Sequence, residues 1–283
     1  MNELIPKTAI LSDIHGNSPA LAAVLEDIDR VGCAQILVLG DVINGVDPGG
    51  SLAMVRGLGE RAICISGNAE LYTLTPDLDG LPDRNDPQQV DLVRLIRWFR
   101  QHLSEEDLQW LARLPDHRFW HGACLVHDSP LDRLYPDSWR KPGLAEKYQE
   151  WYYHSPGISE RMLEEGWRHL WDWMETSQVW GIFCGHTHVP MIRHHEGRWV
   201  VNPGSAGFTL DGDPRPSWLL LEGQPGSASQ IDLSLTIRRV SYDIDRLLRI
   251  IDENPEFHAW EGPRQRAAYI KMLQTGIHWR FHL

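Results

Sequence analysis

Seven side chains able to bind a metal ion stand at short, repeated intervals in this chain: Asp13, His15, Asp41, Asn68, His127, His186 and His188. Asp13 and His15 are two residues apart, so on an extended segment both would point the same way, and His186 and His188 repeat the arrangement. Oxygen and imidazole donors together suit Mn, Fe, Ni or Zn better than a calcium cage, and no thiolate takes part. A carboxylate bridging two ions would let such a set hold a pair roughly 3.5–4 Å apart, as two-metal phosphoryl-transfer sites do. Singly, each piece is weak, because a lone Asp-x-His or Gly-His is more often a turn aspartate or a hydrogen-bonded core histidine. Their joint placement is the signal.

That placement follows the ends of apolar runs. Thr8–Leu11 leads into Asp13-Ile14-His15-Gly16-Asn17, Ile36–Leu39 into Gly40-Asp41-Val42-Ile43-Asn44, and Ala62–Ile65 into Gly67-Asn68-Ala69-Glu70. Ala123–Val126 leads into His127-Asp128-Ser129-Pro130, Gly181–Cys184 into Gly185-His186-Thr187-His188, and Trp199–Val201 into Asn202-Pro203-Gly204-Ser205. Read as strands, these runs deliver polar and turn-forming residues at their carboxyl ends, where ligands gather in α/β sheets. Between the first two runs Leu21, Val24, Leu25, Ile28 and Val31 keep a helical period after Ser18-Pro19, a favourable N-cap and N1 pair. Strand, helix, strand of this length predicts parallel pairing.

The four runs Gly181–Cys184, Trp199–Val201, Trp218–Leu221 and Leu233–Val240 follow closely, with turn-like His194-His195-Glu196-Gly197 and Gly223–Ser229 between them. The spacing suggests antiparallel neighbours, and the whole suggests an α/β fold of two packed sheets flanked by helices. Within residues 70–120 helices are expected at Gln88–Leu103 and from Ser104 onward. Residues 129–180 carry Trp139, Trp151, Tyr152, Tyr153, Trp167, Trp171, Trp173 and Trp180 at mostly helical spacing. The plain reading is the core of a helical insertion, and the sharper one is a lid or a homo-oligomer surface over the site.

The 283 residues, 42% hydrophobic and 23% charged, are ordinary for a soluble globular protein. A formal charge of −12 argues against extended nucleic-acid binding but not against a small phosphorylated substrate held by cations. No apolar run approaches the roughly 20 residues that span a bilayer, so no membrane is expected as partner. The N-terminus lacks a basic region followed by an apolar stretch, so no signal peptide is visible. Cys33, Cys64, Cys124 and Cys184 form no Cys-x-x-Cys pair and read as buried free thiols, which points to the cytoplasm.

In order, Asp13-x-His15, Gly40-Asp41, Gly67-Asn68, His127 and Gly185-His186-x-His188 resemble the signature of the calcineurin-like metallophosphoesterase superfamily. Asp13–Asn17, Val126–Pro130, Gly185–Pro190, Val201–Ser205 and the tail Val240–Ile244 look like its bacterial and archaeal phosphodiesterase branch. The likeness covers residues 8–70, 122–130 and 181–250, within a single domain spanning 1–283. It implies a four-layer α/β sandwich, and the helical insertions expected at about 70–120 and 129–180 lie outside the likeness. It also implies two divalent metal ions, manganese favoured: Asp13, His15 and His188 would hold the first, Asn68, His127 and His186 the second, and Asp41 would bridge them. Asp41, Asn68 and His127 are thereby assigned catalytic parts. The implied reaction is in-line attack on phosphorus by a metal-bridging hydroxide.

Two positions depart from the family pattern. Its Gly-Asp-x-x-Asp ends here in Asn44, and the histidine that usually follows the asparagine, near the substrate, is Ala69. Alanine has no proton to give a leaving oxygen, and general acid catalysis is worth roughly 10²–10⁴-fold. Diesters or pyrophosphate-type bonds are therefore expected over simple monoesters, with His154, His169 or a tyrosine of the insertion as alternative donors. Two other readings compete. One is a non-catalytic metal-binding scaffold on the same fold, as in the retromer-type subunit. The other is a nuclease using Arg133, Arg140, Lys141 and Lys147, although Asp132, Asp137 and Glu146 lie in the same run. His194, His195, His278 and His282 are expected to be solvated.

Overall fold

The computed structural model of the chain describes residues 5–74, 87–130, 158, 164–224, 232–257 and 262–277. Most of the aromatic run at Trp139, Trp151, Tyr152 and Tyr153, together with His154, the basic cluster from Arg133 to Lys147, His278 and His282, lies outside the described residues.

Among the described residues, ten strands form two sheets of five. The first is ordered β10-β9-β1-β2-β3, from β1 (Thr8–Leu11), β2 (Gln35–Val38), β3 (Ala62–Cys64), β9 (Ser217–Gln224) and β10 (Asp232–Arg239). The second is ordered β4-β5-β6-β8-β7, from β4 (His117–Trp120), β5 (Ala123–Val126), β6 (Gly181–Phe183), β7 (Met191–His195) and β8 (Arg198–Asn202). Each sheet is mixed around three parallel strands: β1, β2 and β3 in the first, and β5, β6 and β8 in the second. Antiparallel strands complete them, β9 on β1, β10 on β9, β4 on β5 and β7 on β8.

Helix α1 (Ser18–Val31) makes the β1–β2 crossover and turns Leu21, Val24 and Ile28 onto Ala9, Leu11, Ile36 and Val38. Its N-cap is Asn17, not Ser18, and the Asn17 side chain accepts from Ala20 N–H at 3.1 Å. The Ser18 hydroxyl instead donates to Asp47, itself the N-cap of α2 (Pro48–Gly57). The opposite face of the first sheet, with Ile10, Leu37, Leu219 and Leu221, packs on Leu125, Phe183 and Val201 of the second. Beyond the second sheet, Trp167, Leu170, Trp173 and Met174 cover Cys124, Val126, Ile182 and Val200. These residues share one face of a helix, numbered after α3 (Asn68–Leu74), α4 (Pro87–Gln101) and α5 (Glu105–Leu111) as α6 (Glu164–Thr176). Three apolar clusters thus separate four layers, helix, sheet, sheet, helix, which is the expected architecture.

A fourth cluster joins α4 to α7 (Ile244–Glu253) and α8 (Gly262–Thr275) through Trp98, Phe99, Leu247, Ile251, Phe257 and Leu273. α4 and α5 lie close to their expected positions, and Ser104 and Asp107 close a capping box at the start of α5.

Three expectations need correction. β6 and β8 pair in parallel rather than antiparallel, and β8 and β9 belong to different sheets, so closeness in sequence did not mean pairing. His194 and His195 lie on the exposed edge strand β7, and the turn proper is Glu196-Gly197, both at positive φ. β4 sits inside a stretch expected to be helical, as the other edge of that sheet. No helix among the described residues is long and apolar enough to cross a membrane.

Candidate metal centre

Both sets of parallel strands end on the same side, and the segments that follow them carry all seven predicted side chains, six on loops and Asn68 as the first residue of α3. The loop after β1 is zipped to the loop after β2 by Asp13 N–H to Gly40 C=O (3.1 Å) and His15 N–H to Asp41 C=O (2.9 Å). In the second sheet Gly185 N–H donates to His127 C=O at 2.7 Å. The sheets are tied to each other where His186 N–H reaches Asp13 Oδ2 (2.9 Å) and His127 Nδ1 reaches Leu39 C=O (2.7 Å). Close approach explains two of the neighbouring glycines. A Cβ at Gly67 would lie 2.2 Å from Asp41 Oδ1, and one at Gly185 would lie 2.6 Å from Asp13 Oδ2.

Asp13, His15, Asp41, His186 and His188 all have left-handed backbone, with φ of 56°, 50°, 53°, 69° and 60°. They are therefore not on extended segments, contrary to the expectation from their two-residue spacing. Tight left-handed turns, not strand alternation, aim both members of each pair inward. Such conformations cost roughly 1–3 kcal/mol each in non-glycine residues and persist where surrounding contacts over-determine them.

The side chains converge in two groups. In one, Asp13 Oδ1 lies 3.6 Å from His15 Nε2 and 3.3 Å from His188 Nε2, and the two nitrogens are 3.0 Å apart. In the other, Asn68 Oδ1 lies 3.1 Å from His127 Nε2 and 2.9 Å from His186 Nδ1. Asp41 Oδ2 stands between them, 3.4 Å from His127 Nε2 and 3.8 Å from His15 Nε2. Asp13–His15–His188 and Asp13–Asp41–His127 are each compact enough to hold a metal ion.

Three imidazoles have a defined tautomer. His15 Nδ1 lies 3.1 Å from Asn44 C=O, His127 Nδ1 2.7 Å from Leu39 C=O and His188 Nδ1 2.5 Å from Phe208 C=O. A carbonyl only accepts, so each Nδ1 carries a proton, and the Nε2 of each ring in its neutral form offers its lone pair inward. Asn44, the amide that replaces the usual aspartate, thus contributes through its main chain.

Burial disfavours charge here, yet Asp13 sits well below the usual carboxylate range because His188 and His15 face it, and Asp41 falls to about 2 beside His127. Burial alone would lower His127, but Asp41 and Asp13 outweigh it and raise the imidazole to about 10. Two carboxylates in a dry site demand compensating positive charge. Asp13 Oδ1 makes the point locally, being fully buried and without a hydrogen-bond partner among the described residues. It is the atom a cation would satisfy.

Residues 7–225 match the model of the calcineurin-like phosphoesterase superfamily domain. The chain belongs to this superfamily. It is 26% identical over 274 residues to the uncharacterized protein MJ0912 of Methanocaldococcus jannaschii, covering 90% of this chain and 96% of that one. The fold is similar to a metallophosphoesterase from Sphaerobacter thermophilus, with TM-score 0.64, 25% identity, and 96% and 100% of the two chains covered. It is also similar to the hypothetical protein PH1004 of Pyrococcus horikoshii OT3, with TM-score 0.66, 19% identity, and 96% and 99% covered.

Several supporting residues were not singled out by sequence reasoning. Glu70 is fully buried and accepts from the backbone N–H groups of Asp41 (2.8 Å), Val42 (2.8 Å) and Gly67 (2.7 Å). Burial and the charge of Asp41 push its pKa up against those three donors. Asn202 Nδ2 donates to Gly185 C=O at 2.6 Å, and Ser205 Oγ donates to Asp13 C=O at 2.6 Å while Phe208 N–H donates to it at 2.6 Å. The β8 end therefore carries no candidate ligand but braces the loops that do. Its motif Asn202–Ser205 was visible in the sequence, its partners were not.

Proposed function

We propose that this superfamily member is a dinuclear-metal phosphodiesterase acting on phosphodiester or pyrophosphate-type bonds of a small phosphorylated substrate. The observation that carries the reading is the buried Asp13 Oδ1, without a hydrogen-bond partner among the described residues and faced by the Nε2 atoms of His15 and His188. Asp13, His15 and His188 would hold one cation and Asn68, His127 and His186 the other, with Asp41 shared between them. Divalent cations supply Lewis acidity toward phosphoryl oxygens and ionise water near neutral pH when bound. Oxygen and imidazole donors without thiolate suit Mn, Fe, Ni or Zn, and manganese is the cation we favour among them.

The chain's own part is positioning. Ala69 N–H holds Asp41 Oδ1 at 2.8 Å and His186 N–H holds Asp13 Oδ2, so one oxygen of each carboxylate is fixed and the other faces inward. Backbone carbonyls lock the imidazoles in the same way, so little reorganisation accompanies the reaction. Ala69 offers no proton, and its side chain is buried in the apolar cluster that contains Val42, Leu103 and Leu111. A leaving group that departs without protonation is the substrate this arrangement suits. The buried free thiols Cys33, Cys124 and Cys184 support a reducing, cytoplasmic setting.

The test is hydrolysis of bis-p-nitrophenyl phosphate beside the monoester, with manganese and after chelation, for wild type and Asp41→Ala. Metal-dependent diester hydrolysis, lowered about 100-fold or more by the substitution, is the expected result, in line with loss of a positioned charge. Exclusive monoesterase activity, or full activity of Asp41→Ala, would overturn the proposal.

A further inference from the structure

The Asp13–His15–His188 group is linked through one intervening residue to a part of the chain that lies beyond residue 225, where the superfamily match ends. The contact runs through Phe208. Its carbonyl accepts from His188 Nδ1, and its ring stands edge-on to both imidazoles, 5.6 Å from His188 and 5.8 Å from His15 between centroids. On its other side the ring is stacked on Tyr269 of α8, at 5.6 Å and 20° between planes. Tyr269 in turn meets Phe257 edge-on at 5.5 Å, and both join the cluster of α4, α7 and α8. A second contact reinforces the first. Asn17 Nδ2 donates to Gly207 C=O at 2.7 Å and to Tyr242 Oη at 3.5 Å, linking the residue before Phe208 to the segment that opens α7.

Among the described residues, no comparable aromatic brace reaches the other group. His127 Nδ1 is held by Leu39, at the end of β2, and the described ring neighbours of His127 and His186 are each other, at 5.3 Å.

We infer that Phe208, backed by Tyr269, is the positioning residue of the His15–His188 half of the centre, so that the C-terminal helices set the cation affinity of that half alone. The physical reason is rotational. Each imidazole is fixed at Nδ1 by a hydrogen bond, which leaves the ring free to tilt about that bond. A packed edge beside it removes the tilt and keeps Nε2 aimed at Asp13 Oδ1. Stacking on Tyr269 keeps Phe208 from following the ring away. The inference rests on the dinuclear reading above.

The experiment measures Mn²⁺ binding by calorimetry to the full chain in two backgrounds. His186→Ala leaves the His15–His188 group intact, and His188→Ala leaves the Asn68–His127 group. Adding Tyr269→Leu should weaken binding about tenfold in the first background, the lower end of what supporting residues contribute to metal sites, and leave the second unchanged. Tyr269→Phe, which keeps the stack, should behave as Tyr269 does. If Tyr269→Leu does not fold by circular dichroism, Phe208→Leu carries the same test, since the Phe208 carbonyl remains.

Equal weakening in both backgrounds would mean that the stack only stabilises the fold, and no change in either would mean that it does nothing for the site. Each result overturns the inference while leaving the dinuclear reading standing. Wild-type protein that binds no manganese would overturn both.

Discussion

The two groups of candidate ligands are built from the same kind of loop, yet their donor atoms are engaged differently. In the Asn68 group the amide oxygen already lies within hydrogen-bond reach of His127 and His186, so a cation entering there competes with two existing contacts. In the Asp13 group the buried carboxylate oxygen has no hydrogen bond to lose, and the one contact a cation would break is that between the His15 and His188 Nε2 atoms at 3.0 Å. The first group also lacks a carboxylate of its own. Charge and prior engagement therefore act in the same direction, and the Asp13 half should bind its cation more tightly. The shared Asp41 separates two unequal sites rather than two copies of one.

The strongest way to break this comparison is to exchange the two side chains that distinguish the halves. Asp13→Asn should lower affinity at the His15–His188 group by about 100-fold, since a full charge a few ångströms from the ion is lost from a buried site. Asn68→Asp should raise affinity at the other group by about tenfold on the same grounds. Manganese titrations that resolve two classes of site in wild type would check both. Unchanged affinities in the two variants would show that ligand charge does not rank the halves.

A smaller but still large effect is expected at Glu70, which holds the loop of the shared Asp41 and, of the two flanking groups, only the loop of Asn68. It holds the amides of Asp41 and Val42 in one loop and of Gly67, next to Asn68, in the other. Glu70→Ala leaves three buried donors unsatisfied, at roughly 1–3 kcal/mol each, so urea unfolding should report a loss of about 3 kcal/mol or more. The Asn68 half should lose manganese affinity well before the Asp13 half does. Equal losses would mean that the two loops share one support.

The contrast between the halves explains what was legible in the sequence. The ligands were readable because each follows an apolar run, and the continuous burial of those runs placed β1, β2, β5 and β6 within a residue or so of where they lie. Edge strands were harder. β4 and β7 pair on one side only and expose Phe119 and Ile192, so His117-Arg118-Phe119-Trp120 and Met191–His195 lack the continuous apolar pattern of the buried strands. α2 was missed because Pro48-Gly49-Gly50 reads as a turn, whereas Asp47 caps it into a helix. The braces were illegible for a different reason. Ser205 meets Asp13 across 192 residues, Glu70 meets Asp41 across 29, and Phe208 reaches His188 through its carbonyl, which no side-chain type announces.

The smallest expected effect supplies the yardstick for the others, because it should touch neither half. Asp27, buried on α1, accepts from Trp218 Nε1 (3.2 Å), Arg238 Nε (2.9 Å) and Arg30 Nη1 (2.9 Å), tying the helix to β9 and β10. The hydrogen bond from Arg238 leads the causes that hold its pKa below the usual aspartate range. A depressed folded pKa means that the carboxylate contributes stability above the unfolded value, near 3.9, and loses it as pH falls through the folded one. Asp27→Asn should therefore cost about 1–2 kcal/mol in urea unfolding at pH 7, the scale of charge-assisted hydrogen bonds partly screened by solvent. The gap between wild type and variant should close as the pH is lowered below 4, within the acid range where the protein still folds. Manganese affinity at both groups should stay as in wild type, since Asp27 contacts neither. A loss of either site in Asp27→Asn would mean that general destabilisation of the first sheet is enough to unmake the centre, and the selective losses expected for Asp13, Asn68 and Glu70 could no longer be read as local.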